Sequence, residues 1–263
     1  MTKINRAGIY VHVPFCARKC AYCDFISFAE CEETKIRQYF EALKKECRLL
    51  SEETEDAFCD ADSESVDKWE QHLHLAALEV LPADSLFIGG GTPSVVDVQY
   101  IAGLMPLLPL TEGAERTLEA NPGTLNREKL RIYRECGINR LSLGVQSFHD
   151  QELAFLGRIH SGEDAVASFQ AARDAGFDNI SLDLMFGFPG QTLASWRKTL
   201  ETAVALEPDH LSFYSLQIEE GTPLYQWFRE DRVEQLPDEL NRDMYHFAVD
   251  FLEQNGYGRY EIS

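Results

Sequence analysis

Short runs rich in β-branched and aromatic residues alternate along this chain with longer amphipathic stretches. Gly8–Val13, Ser85–Gly89, Thr117–Ala120, Arg140–Val145, Asn179–Met185 and His210–Leu216 read as strands. Between them, apolar residues recur at helical spacing. Ile36, Tyr39, Phe40 and Leu43 follow Thr34, and Leu130 and Tyr133 precede a stop at Gly137. Ala165, Phe169 and Ala172 precede Gly176, and Trp196, Leu200, Ala203 and Val204 precede Pro208. Met244, Phe247, Ala248, Phe251 and Leu252 precede Gly256. Such alternation predicts an α/β fold, a parallel sheet with covering helices. Six units suit a partial (β/α)6 TIM-like barrel better than a closed eight-fold one. Gly258–Ile262 reads as a last strand running off the end at Ser263, so a further C-terminal portion is expected.

Residues 51–66 hold seven acids and no base, and read as a solvated loop inserted between the first helix and the second strand. The whole of 1–263 is otherwise expected to be one core domain. His72 and His74 follow this loop on a helical stretch. Positions i and i+2 of a helix diverge by about 200°, which favours surface histidines over a metal-binding pair.

Composition narrows the classes. Hydrophobic residues make up 44% of the chain, enough for a large core and too many for wholesale disorder. The net charge of −20 argues against broad electrostatic binding to nucleic acid or an anionic membrane. The N-terminus has no apolar secretory segment, and the most apolar stretch, residues 101–110, is short and carries two prolines. No integral membrane segment is expected, and the expected location is cytoplasmic.

The seven cysteines are Cys16, Cys20, Cys23, Cys31, Cys47, Cys59 and Cys136. The count is odd, and three of them fall in one short run, which reads as a metal or cluster site rather than a disulfide framework. Cys16, Cys20 and Cys23 directly follow the first strand. Three thiolates in one loop can ligate three irons of a four-iron four-sulfur cluster, leaving the fourth iron open. Zinc would want paired halves, and no second half appears in the sequence. Arg18 and Lys19, inside the loop, offset the negative charge of thiolates and cluster. The other four cysteines read as ordinary reduced thiols.

The segment YVHVPFCARKCAYCDF at 10–25 resembles the radical S-adenosylmethionine superfamily. More narrowly, it is similar to the oxygen-independent coproporphyrinogen III oxidases and to the HemW-type haem chaperones. FIGGGTPS at 87–94, LEANPGT at 118–124, GINRLSLGVQSF at 137–148, GRIH at 157–160, ISLDLMFGFPGQT at 180–192 and the final YEIS extend the likeness in order along the chain. The resemblance implies that S-adenosylmethionine chelates the open iron and yields a 5′-deoxyadenosyl radical on reduction. It assigns cofactor contacts to Tyr10, Gly90, Gly91, Thr92, Glu119, Gln146, Arg158 and Asp183. Each suits the mouth of a barrel: glycines admit close backbone approach, a strand-end carboxylate accepts from ammonium or ribose hydroxyls, and an arginine meets a carboxylate. Asp183 lies within an apolar strand and would be costly without a partner. A buried Arg158–Asp183 ion pair without ligand contact is the competing reading.

Two functions follow from the resemblance. One is a haem chaperone that hands haem to acceptor proteins. The other is an oxidase that converts two propionates of coproporphyrinogen III to vinyl groups. The oxidases share a further cysteine two positions after the third, where this chain has Phe25, and they carry a longer segment before the cluster. Both cues favour the chaperone. An electron donor such as flavodoxin or ferredoxin is an implied partner. None of the seven histidines marks itself as a haem ligand, and the chaperones' C-terminal haem motif would lie beyond Ser263.

Overall fold

A computed structural model describes residues 7–56 and 82–261. His72, His74 and Cys59 lie outside the described residues. Six parallel strands form the central sheet: β1 (Gly8–Val13), β4 (Ala83–Gly90), β5 (Leu110–Ala120), β6 (Arg140–Gln146), β7 (Asn179–Phe186) and β8 (His210–Ser215). Their order in space is their order in sequence. Parallel crossovers are right-handed, so an order that never reverses puts every connecting helix on the same face. The opposite face is left free to line the inside of a partial (β/α)6 barrel, as expected.

The strand sequences sort themselves accordingly. Val11, Val13, Leu86, Ile88, Leu118, Leu141, Leu143, Ile180, Leu182 and Leu184 point outward and are almost wholly buried under helices. The alternate positions pair across the inner face: His12 with Gly89, Glu119 with Ser142, Gly144 with Asp183, and Asp183 with Ser212. A period of two thus separates an apolar packing face from a polar working face.

The covering helices are α1 (Glu33–Asp56), α2 (Val98–Leu104), α3 (Arg127–Glu135), α4 (Asp150–Leu156), α5 (Gly162–Asp174), α6 (Leu193–Ala205), α7 (Pro223–Arg229) and α8 (Asp238–Gln254). Asn126 caps α3, and reciprocal capping boxes open α5 (Ser161, Asp164) and α6 (Thr192, Ser195). The core runs between sheet and helices. Trp196 is fully buried, lies nearly parallel to Phe186, and donates its indole N–H to the Met244 carbonyl at 3.1 Å. That bond ties α6 to α8.

Two expectations are corrected. Residues 51–56 are not loop but the last turns of α1; the helix continues because the stretch lacks glycine and proline and is rich in glutamate. The rest of the acidic segment lies outside the described residues. Residues 258–261 form no strand. Side chains hold this segment where ladder bonds would: Tyr257 donates to the Pro208 carbonyl, Arg259 to the Tyr245 hydroxyl, and the Tyr260 hydroxyl meets His210 Nε2 at 2.8 Å. Glycines at 256 and 258 weaken any extended ladder there.

Candidate functional site

The three cysteines sit on the loop that leaves β1. A two-residue parallel ladder, β2 (Phe15–Cys16) with β3 (Phe28–Ala29), closes the base of this loop. His12 reinforces the closure, its Nε2 lying 3.0 Å from the Ile26 carbonyl. The far side is pinned at Ala21, whose N–H donates to Leu156 at the end of α4 and whose carbonyl accepts from Leu224 in α7. Gly157 makes that contact possible: it adopts φ 78°, and a Cβ there would stand 3.2 Å from Ala21 N. Each thiol has a donor. The Thr92 hydroxyl reaches Cys16 Sγ at 3.6 Å, Arg158 Nη1 reaches Cys20 Sγ at 3.6 Å, and the Phe25 N–H faces Cys23. Burial pushes the Cys23 thiol up, and the Phe25 N–H pulls it partly back. Phe25 itself is exposed on the rim.

The glycine turn after β4 packs closely against β1 and the cysteine loop. Gly91 N–H donates to Val13 and Thr92 N–H to Phe15. A Cβ on Gly91 would lie 2.7 Å from the Phe15 carbonyl and 3.0 Å from Cys16 Sγ, and one on Gly90 would strike the His12 ring. Gly91 thus admits the close approach of the cysteine loop, and Gly90 that of His12 on β1.

The charged side chains gather on the inner face. Glu119 accepts from Gly90 N–H at 3.1 Å. Burial raises its carboxyl from 4.5 to about 7; the Gly90 bond opposes this, and the charge of Asp183 adds to it. Asp183 keeps some open surface but is surrounded by protein, and burial raises it to about 6. Its partners are hydroxyls: Ser142 Oγ lies 3.0 Å from both carboxylate oxygens, and Ser212 also donates. Arg158 makes no direct ion pair with Asp183, though its charge favours the Asp183 carboxylate. The Arg158 guanidinium donates to Asn121 Oδ1, the Gly144 carbonyl and Cys20 Sγ, and also bonds the Tyr22 hydroxyl. Tyr10 is exposed on β1, stacked on Phe87 with its hydroxyl 3.3 Å from His12 Nδ1.

Gln146 ends β6 in a strained conformation. Its φ is 67°, and Ser147 N–H donates back to the Val145 carbonyl across it, a γ-turn of the unfavourable hand. His160 Nε2 meets the same carbonyl at 3.1 Å. The Gln146 side chain is buried, and its Oε1 has no partner. An orphaned acceptor held by a strained turn at a strand end is what a hydroxyl- or ammonium-bearing ligand would satisfy.

Sequence reasoning missed Asn121, Ser142 and Lys129. Ser142 could have been read from the alternation in RLSLG, where it shares a face with Arg140 and Gly144. Lys129 Nζ donates to the carbonyls of Ser94, Val96 and Thr124, joining the two loops that follow β4 and β5. Nothing in a helix-surface pattern announces such a role.

Among the described residues, no three His, Cys, Asp or Glu side chains converge on a single metal ion. A four-iron cluster takes one thiolate per iron and needs no such convergence. The donor set fits that group: three thiols on one pinned loop, each with a hydrogen-bond donor, beside an unpaired buried amide oxygen and two carboxyls.

A sequentially ordered, six-stranded parallel partial barrel with a three-thiol loop after its first strand is the architecture of the radical S-adenosylmethionine class. The chain belongs to the Radical SAM superfamily, whose model matches residues 10–203. That superfamily works with a four-iron four-sulfur cluster and S-adenosylmethionine. The chain is 36% identical over 260 residues to "Heme chaperone HemW" of Bacillus subtilis, covering 97% of this chain and 62% of that protein. It is 33% identical over 264 residues to the mitochondrial "Radical S-adenosyl methionine domain-containing protein 1" of Danio rerio, covering 98% and 53%. Among solved structures it is similar to coproporphyrinogen III oxidase (HemN) of Escherichia coli, with a TM-score of 0.74 and 27% identity, covering 96% of this chain and 54% of that one. The chain thus spans about three fifths or less of each of these proteins. No helix among the described residues is long and apolar enough to cross a membrane.

Proposed function

We propose that this chain is the radical S-adenosylmethionine core of a haem chaperone, which binds haem and passes it to acceptor proteins. The cluster is held by Cys16, Cys20 and Cys23. The resident cofactor's site is built from Tyr10, Gly90, Gly91, Thr92, Glu119, Gln146, Arg158 and Asp183. When bound, the cluster would supply a reducible centre whose fourth iron is open to the chelating cofactor. The chain's own residues hold and shield it. The β2–β3 ladder fixes the loop, Gly91 lets it lie against β4, and Glu119 and Asp183 offer acceptors on the inner face. Gln146 presents an amide oxygen in want of a donor.

The observation that carries the chaperone reading is Phe25. At this place the oxidases bring another cysteine beside the cluster; here a phenyl ring stands exposed on the rim, 67% accessible. The curated relatives that carry the chaperone name support the same choice. Flavodoxin or ferredoxin is the proposed electron donor. The proposed location is the cytoplasm, where Cys31, Cys47 and Cys136 would remain free thiols.

The test is product analysis under anaerobic, reducing conditions, on the chain extended past Ser263. Cluster-loaded protein is given S-adenosylmethionine with coproporphyrinogen III, and in parallel haem with an apo-acceptor. Haem binding and transfer without porphyrinogen turnover is expected. Catalytic accumulation of protoporphyrinogen would replace this reading with the oxidase one.

A further inference from the structure

We propose that Asn121 is a positioning residue that aims hydrogen-bond donors at two of the three cysteine sulfurs that hold the cluster and thereby raises the cluster's reduction potential. The proposal rests on the assignment of the cluster to Cys16, Cys20 and Cys23. Asn121 stands just beyond β5, and its side chain links the loops after three different strands. Its Nδ2 lies 3.0 Å from Thr92 Oγ1, and its Oδ1 accepts from Arg158 Nη2. Thr92 continues to Cys16 and Arg158 to Cys20.

Every hydrogen in this chain has a forced direction. A guanidinium can only donate, so the atom of Asn121 that faces Arg158 must be the carbonyl oxygen. The amide nitrogen then faces Thr92 and must donate to it. Because Asn121 thus offers Thr92 a donor and no acceptor, the Thr92 hydroxyl directs its one hydrogen to Cys16 Sγ. At the other end Arg158 presents a second N–H to Cys20. Asn121 is thus the group that makes Thr92 a donor to sulfur rather than an acceptor from elsewhere.

The surroundings are built to keep it there. The Asn121 N–H donates to Ser94 Oγ at 3.2 Å, and its carbonyl accepts from Thr124 N–H at 3.1 Å and Thr124 Oγ1 at 2.7 Å. Gly144 leaves room for it: a Cβ there would come within 2.8 Å of Asn121 Oδ1 and 3.3 Å of Arg158 Nη2. Hydrogen bonds to cluster sulfurs stabilise the more negative, reduced state and raise its potential, and residues that orient such donors act through them.

Asn121→Asp is nearly isosteric and still accepts from Arg158, but it cannot donate to Thr92. The threonine hydroxyl then donates to the new carboxylate and leaves Cys16. The experiment measures the midpoint potential of the reconstituted cluster, without S-adenosylmethionine, in wild type, N121D, T92V and the double variant. Both single variants are expected to move the potential more negative. In the T92V background N121D is expected to have a smaller effect than in wild type, because the donor it withdraws is already gone. The carboxylate's own charge acts alike in both backgrounds and cancels in the cycle. Strictly additive shifts would overturn the proposal. If N121D fails to hold a cluster, T92V alone carries the test: a more negative potential is expected, and an unchanged one would overturn the proposal. Absence of any cluster from the wild-type chain would instead strike at the cluster assignment itself.

Discussion

Replacing Glu119 by Gln should stabilise the empty protein while weakening its grip on S-adenosylmethionine. Glu119 ionises at about 7 in the folded chain and at 4.5 when free, because burial disfavours its charge and Asp183 adds repulsion. A carboxyl raised in this way binds its proton more tightly when folded. Its stabilising contribution is full below 4.5 and is lost as pH rises through about 7. The gap between the two values corresponds to about 3 kcal/mol forgone above pH 7, part of it shared with Asp183, which burial also raises. The amide of the variant would keep an acceptor for the Gly90 N–H and remove the charge. The assay is thermal or urea unfolding of the cluster-free, reduced protein between pH 4.5 and 8. Wild type and E119Q should nearly coincide at the acid end. At pH 8 the variant should be more stable by about 3 kcal/mol, roughly 6–12 °C in melting temperature for a chain of this size. A variant no more stable than wild type at pH 8 would refute the claim that Glu119 is held desolvated for a ligand.

Gly91→Val should impair cluster assembly as well as cofactor binding, since its side chain would press on Phe15 and Cys16; iron content after reconstitution reads this directly, and full loading would contradict it. Trp196→Ala should cost about 3–5 kcal/mol in urea unfolding, through lost packing and the lost bond from α6 to α8. Lys129→Met should leave three carbonyls short of a donor and lower stability by about 1–3 kcal/mol, with faster hydrogen exchange at residues 92–96 and 124–129 than elsewhere in the sheet.

Much of this molecule can be read from its residues. The strands at Gly8, Arg140, Asn179 and His210 begin where expected, because each is a compact β-branched or apolar run between clear breaks. β5 begins at Leu110 instead of Thr117, since its first half, LTEGAE, is polar and partly exposed and has no core-facing signal. α4 and α7 are seven residues each, too short for a period to emerge, and the two-residue ladder that closes the cysteine loop has no pattern at all. The thiol spacing announces a cluster; its hydrogen-bond donors do not announce themselves. Asn121 and Gly144 matter only because three loops distant in sequence meet at one point. The partners of Asp183 follow the same rule: Ser142 and Ser212 lie on neighbouring strands, and strand register alone brings them to it.

The most direct test of the account is the paramagnetic resonance spectrum of the reduced, anaerobically reconstituted chain, recorded with and without S-adenosylmethionine. The expected spectrum is a four-iron four-sulfur signal that changes on adding the cofactor, is lost when Cys16, Cys20 or Cys23 is replaced by Ala, and survives replacement of Cys31, Cys47, Cys59 or Cys136. A full cluster in all three alanine variants, or a wild-type signal indifferent to S-adenosylmethionine, would contradict it.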